Sequence, residues 1–196
     1  SDAAQSVQVL AGAAGVGKTR LALEVAARWE ADGGRWLAVA AGAEAQAVQS
    51  ARAANPGRLL LVVDHAETRA GLSELLRAVP EDPGPLRVLL VTRSLGEWWD
   101  RLIDGSVPAV ARLLTETEPV RLDGPVRADA SDAGLAEAAV PYFAGALAVP
   151  LPGRVEIEVA ARRMPVLMLH AAALVALLRV GADPGPVLRV VVSDRV

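Results

Sequence analysis

Between an apolar segment, Val7-Gln8-Val9-Leu10, and a segment of helical periodicity that starts at Thr19, the chain reads Gly12-Ala13-Ala14-Gly15-Val16-Gly17-Lys18-Thr19. This fits G-x-x-x-x-G-K-[ST] in the setting the pattern requires, a strand handing over to a helix through a glycine-rich turn. Glycine adopts backbone conformations that side chains disfavour, so such a turn can be tight. Lys18 is also the only lysine in a chain with 20 Lys and Arg. Arginine is the default base here, which points to a GC-rich coding sequence. A position that retains lysine calls for a compact ammonium rather than a planar fork.

The rest of the chain alternates in the same way. Thr19 to Ala31 reads as a helix with one apolar face, Leu21, Val25 and Trp29, stopped by Gly33-Gly34. Trp36 to Ala40 reads as a strand and Ala43 to Ala54 as a helix, ended by Asn55-Pro56-Gly57. Leu59-Leu60-Leu61-Val62-Val63 is apolar on both faces, as a central parallel strand is, and ends at Asp64. A helix over Leu72 to Val79, a turn at Glu81 to Pro85 and a buried strand over Arg87 to Thr92 follow. Helices over Leu95 to Ile103 and Val110 to Leu114 and a last short strand at Val120 to Leu122 complete the alternation. The expected fold is α/β, a parallel sheet flanked by helices.

Composition shifts at Asp123 to Gly134, which is rich in Gly, Pro and Asp. We place a core at residues 1–125 and a small helical lid at 126–196. The lid's helices are expected over Leu135 to Leu147, Val155 to Arg163 and Val166 to Val180, the last opened by Met164-Pro165. The middle one carries a competing signal, because Val155, Ile157 and Val159 alternate as in a strand. In Trp98-Trp99 the two side chains point about 100° apart on a helix, so one packs inward. The other is expected either to pack between helix and sheet or to meet a further domain.

Composition also narrows the function. Hydrophobic residues make up 53% and aromatics 3%, so the core is built of Ala, Val and Leu. The net charge is -3 with no basic run, which argues against nucleic-acid binding. No cysteine is present, which excludes disulfides and thiolate metal sites and agrees with a reducing, cytoplasmic setting. The polar, acidic Ser1-Asp2-Ala3 start does not read as a signal peptide. The apolar stretch Pro165 to Val180, interrupted by His170 and Arg179, is shorter than the roughly 20 residues that span a bilayer. The expectation is a soluble domain with no membrane partner. The apolar ending, Val187 to Val192, reads as a domain excised from a longer polypeptide.

The glycine turn has a concrete use. Successive N–H groups turned inward make an anion nest, and the following helix adds its dipole. Residues Gly12, Ala13, Ala14, Gly15, Val16, Gly17, Lys18, Thr19 and Arg20 form the candidate nucleotide-binding loop. Lys18 would reach the β- and γ-phosphates, and the Thr19 hydroxyl would ligate Mg2+. Asp64, about 45 residues on, is a strand-end carboxylate able to hold the same ion, a Walker B pattern. His65 follows where many ATPases place a second acid. Either Glu67, two residues later, orients the attacking water, or hydrolysis is slow or absent. Thr92-Arg93 ends the other long buried strand at the edge where ligand-facing residues gather, so Arg93 is a candidate for the γ-phosphate. The alternative is an ordinary surface arginine.

These pieces in this order resemble the STAND class of P-loop ATPases, the NB-ARC and NACHT-type switch modules. The matching segments are Leu10 to Ala22, Leu60-Leu61-Val62-Val63-Asp64 and Val88-Leu89-Leu90-Val91-Thr92-Arg93, and the likeness covers about residues 5–180. It implies that Arg93 is the sensor arginine that reads the γ-phosphate. Met164-Pro165-Val166-Leu167 resembles the family's G-x-P element, which implies that Pro165 lies near adenine. There are two departures: His65 replaces the second acid, and no glycine stands two before Pro165. The family's winged-helical domain and sensor repeats would lie beyond Val196. In the family ADP holds a closed monomer, ATP opens it, and open protomers assemble and signal in bacterial transcription or defence. ATP or ADP with Mg2+ is therefore the expected cofactor set, and adenine over guanine rests on the likeness, since no N-K-x-D motif occurs. The expected partners are other domains of the same polypeptide and further copies in the ATP state. A metabolic P-loop kinase, with Arg162-Arg163 gripping phosphate, and a non-hydrolysing nucleotide-binding scaffold are the competing readings.

Overall fold

The computed structural model describes residues 5–122, 132–148, 155–159, 166–180 and 188–192. They fall into two compact units, Ser1–Ala13 with Lys18–Leu122, and Ala14–Gly17 with Asp123–Val196. In the first, strands β1 (Gln5–Gly12), β2 (Arg35–Ala38), β3 (Leu59–Asp64), β4 (Leu86–Thr92) and β5 (Val120–Leu122) form one sheet in the order β2-β3-β4-β1-β5. Every pairing is parallel. The helices are α1 (Lys18–Ala31), α2 (Glu44–Ala54), α3 (Leu72–Ala78), α4 (Glu97–Asp104) and α5 (Pro108–Thr115), with a 3-10 turn at Ala66–Thr68. This is an α/β fold, a parallel sheet flanked by helices, as expected.

Alternation along the strands sorts side chains between two layers. Val7 and Val9 of β1, Leu59, Leu61 and Val63 of β3, and Leu86, Val88 and Leu90 of β4 meet α2, α3, α4 and α5. Leu10, Leu60, Val62, Leu89 and Val91 point to the opposite face, where α1 supplies Ala22 and Ala26. The expected apolar face of α1 is therefore corrected. Leu21 and Val25 are 38% and 42% exposed, while Ala22 and Ala26 are buried against the sheet. The two stripes lie one residue apart, about 100° around the helix, and only alanines fit beneath a helix seated close to the strands. Leu21, Val25 and Trp29 instead wall an open groove of about 450 Å3 floored by Leu10, Leu60 and Leu89.

Both tryptophans of α4 are accounted for within this unit. Trp99 is buried in the core, and Trp98 packs against it edge to face, with ring centroids 5.6 Å apart. Trp98 Nε1 donates to the Ser94 carbonyl at 2.8 Å. At the opposite end of the sheet, Arg52 pairs with the buried Asp82 and also donates to the Pro56 carbonyl, which ties α2 to the turn before β4.

The second unit holds α6 (Asp132–Leu147), β6 (Val155–Val159), α7 (Val166–Val180) and β7 (Leu188–Val192). Ala136, Val140 and Ala144 of α6 pack on Leu169, Ala172, Ala173 and Leu177 of α7, each set at helical spacing. The all-helical expectation is corrected here. The segment at Val155 is a strand, as its alternation indicated, and it pairs in parallel with β7, formed by the apolar run that closes the chain. β-branched residues favour extended backbone, and a partner strand supplies the hydrogen bonds a lone helix turn would have made.

Candidate functional site

β1 ends at Gly12 and α1 begins at Lys18, so the glycine motif is the whole connection. Gly15 and Gly17 take φ values of 78° and 97°, the left-handed region that side chains disfavour. At Gly17 an added Cβ would meet nothing within 4 Å, so glycine is required there by backbone conformation rather than by space. Lys18 Nζ donates to the Ala13 carbonyl at 2.9 Å. An ammonium has three donors, so two remain for another acceptor.

Strand register brings the other candidates to this end of the sheet. Asp64 lies opposite Val91, and Ala11 opposite Thr92, so β1, β3 and β4 end together. Asp64 shares the parity of Leu60 and Val62 and therefore faces α1. There Thr19 Oγ1 donates to Asp64 Oδ2 at 3.0 Å. Asp64 Oδ1 accepts the His65 backbone N–H at 2.8 Å. His65 sits in the left-handed region, φ 54° and ψ 45°, which costs about 1–3 kcal/mol for a residue with a side chain. Its side chain is exposed, and its carbonyl accepts from Thr68 Oγ1 at 2.9 Å.

Glu67 and Arg93 also meet, though through backbone. Glu67 Oε1 accepts the Arg93 N–H at 3.3 Å, while Oε2 is buried without a partner among the described residues. The Arg93 residue is exposed. Arg20 runs along α1 toward Glu24 at 4.0 Å. Pro165, Arg162 and Arg163 lie outside the described residues.

Sequence reading missed two members of this neighbourhood. Arg69 Nε donates to the Asp64 carbonyl at 2.9 Å, and Arg69 Nη1 to Glu44 Oε1 at 3.2 Å. Both side chains are largely buried, and a Cβ on Gly71 would come 2.9 Å from Glu44 Cβ. No local pattern announces this pair, because its members belong to different elements. A cavity of about 190 Å3 adjoins it, lined by Thr19, Leu23, Trp36, Asp64, Arg69 and Val91 among others. The larger groove beside α1 touches neither the glycine turn nor Asp64.

Among the described residues no cluster of three or more His, Cys, Asp or Glu could hold a metal by itself. Thr19 Oγ1 and Asp64 Oδ2 are nonetheless hard oxygen donors side by side, which fits Mg2+, an ion that takes few protein ligands and completes its shell with phosphate and water. No helix among the described residues is long and apolar enough to cross a membrane.

No protein-family model and no curated protein matches the sequence. Among solved structures, the chain is similar to the ORC2 protein of Aeropyrum pernix in its ADPNP–ADP complexes, at 15% identity and TM-score 0.42, over 71% of this chain and 46% of that one. It is similar to the replication initiator DnaA bound to AMPPCP and single-stranded DNA, at 15% identity and TM-score 0.42, over 76% and 47%. For AMPPCP-bound DnaA from Aquifex aeolicus the values are 15%, 0.38, 76% and 48%. The chain thus spans about half the length of each.

Proposed function

We propose that this chain is a nucleotide-controlled switch domain of the STAND type. It binds ATP or ADP with Mg2+, hydrolyses ATP slowly, and conveys its nucleotide state to other domains of the same polypeptide. The observation that carries this reading is the 3.0 Å hydrogen bond from Thr19 Oγ1 to Asp64 Oδ2, made directly after a turn with two left-handed glycines. That is the geometry a phosphate cradle and a metal corner require together.

Each residue then has a role. The amides of the Gly12–Lys18 turn donate to phosphate oxygens, and Lys18 swings from the Ala13 carbonyl to the β- and γ-phosphates. Thr19 and Asp64 would hold Mg2+, which when bound neutralises charge on the phosphates. In hydrolysis, the water oxygen bonds to the γ-phosphorus as its proton passes to a phosphate oxygen or to solvent, the bridging P–O bond breaks, and ADP leaves with that electron pair. Glu67 orients the water through Oε2, the acceptor its own backbone contact leaves unused. Arg93 reads the γ-phosphate, and Pro165 lies near adenine, both by likeness to the family. Assembly of further copies in the ATP state follows the same likeness.

Titration calorimetry with ADP tests the cradle. Lys18→Ala should weaken binding by about tenfold or more, because a charge-assisted hydrogen bond is worth about 1.5–3 kcal/mol. Unchanged affinity would sink the reading. One observation favours a non-hydrolysing variant of it: His65, in the second acid's place, offers Asp64 only its backbone N–H. Phosphate release that disappears in Asp64→Ala decides for hydrolysis, and its absence in the parent protein decides against.

A further inference from the structure

We propose that Arg69, held by Glu44, is a positioning residue for the metal-binding carboxylate of Asp64. The inference rests on the nucleotide and Mg2+ reading above. It starts from the edge of the sheet. The Val62 carbonyl accepts the Val39 N–H at 2.9 Å, on the β2 side of β3. Backbone groups repeat their direction every second residue, so the Asp64 carbonyl points the same way. β2 has already ended at Ala38, and its last pairing is with Val62. The Asp64 carbonyl therefore has no strand partner on that side, and Arg69 Nε supplies the missing donor at 2.9 Å.

That contact reaches the carboxylate through one rigid unit. The Asp64 carbonyl and the His65 N–H belong to the same planar peptide group. Arg69 grips its oxygen, and its N–H donates to Asp64 Oδ1 at 2.8 Å. Holding the plane fixes where Oδ1 is pulled, which leaves Oδ2 aimed at Thr19 Oγ1. Hydrogen bonds in such a chain polarise one another. Glu44, the first residue of α2, completes the device by compensating the buried guanidinium, and Gly71 leaves room for it. The fork geometry of arginine is essential, since Nε and Nη1 serve two acceptors at once. Arg69 touches neither nucleotide nor metal in this role.

The test is the Mg2+ dependence of ADP binding, measured by calorimetry with and without chelator on the whole chain. The double variant Arg69→Met with Glu44→Leu removes both charges together, so no buried ion is orphaned and folding is protected. It should bind ADP without metal as the parent does, while the half-saturating Mg2+ rises about tenfold or more, as for other outer-shell partners of metal ligands. Arg69→Lys keeps the charge but not the fork and should show the same shift at smaller amplitude. Coulomb's law alone gives the opposite sign for a variant that only loses a nearby cation, namely tighter metal binding.

An unchanged Mg2+ dependence in a folded variant overturns the proposal, as does an equal loss of ADP affinity with and without metal, which marks a merely structural role. If the double variant does not fold, Arg69→Lys decides by the same measurement. If the parent binds no ADP under either condition, the nucleotide reading falls and takes this proposal with it. If Lys18→Ala abolishes binding while Arg69 variants match the parent at all Mg2+ levels, only the role of Arg69 falls.

Discussion

The two faces of the central sheet are built to different specifications. On one, four helices bring large side chains onto the strands, and Leu61, Leu75, Leu76, Leu86 and Leu90 are fully buried. On the other, α1 alone among the described residues seats two alanines on the strands and leaves Leu21 and Val25 open to solvent. Asp64 and Thr19 belong to this thin face. With the proposed metal site on the thin face, the contrast would separate stability from chemistry across one sheet. The dense layer holds the strands in register, while the sparse layer leaves the Thr19 hydroxyl and the Asp64 carboxylate room beside α1.

Substitutions can break or sharpen that contrast. The largest effect belongs to the dense face, where Leu75→Ala should destabilise the fold by about 2–5 kcal/mol in urea unfolding. ADP affinity of the folded fraction should stay at the parent value, and a parallel loss of both would mean the faces are coupled. Next comes the site itself. Arg93→Ala should spare ADP and weaken ATP by about 1.5–3 kcal/mol, the worth of a charged hydrogen bond. Equal weakening of both nucleotides in the same titration would remove the γ-phosphate role.

Two smaller effects probe the turn after β3 and the thin face. His65→Val should cost about 1–2 kcal/mol of stability, because a β-branched side chain is penalised in the left-handed region. His65→Gly should show no such loss, and equal melting shifts for the two would show that backbone conformation is not what matters at His65. Last, Leu21→Ser should change stability by no more than about 0.5 kcal/mol, the range of exposed positions. A drop comparable to that of Leu75→Ala would show that the groove beside α1 is covered in solution.

What could be read in advance follows the range of the interactions involved. The strand, glycine turn and helix around Lys18 were legible because they depend on adjacent residues, as were β3 and β4, whose aliphatic runs allow no exposed face. The face of α1 was misread because two apolar stripes run side by side, and helix–sheet distance chose the smaller one. The segment at Val155 carried a strand signal that only pairing with Leu188–Val192 made decisive. The role of Glu44 was invisible, since an acid in the first turn of a helix reads as an ordinary dipole partner.

By itself, then, the order of residues determined the glycine turn, the lone lysine over it and an acid closing an aliphatic strand, because turn conformation and strand burial are local demands. Only the tertiary structure decided that β1 lies between β4 and β5 and that Thr19 meets Asp64. It alone joined Arg69 to Glu44 across 25 positions of chain. Those contacts exist because strands from distant segments align their ends at one edge, and alignment is a property of packing rather than of any short stretch of chain.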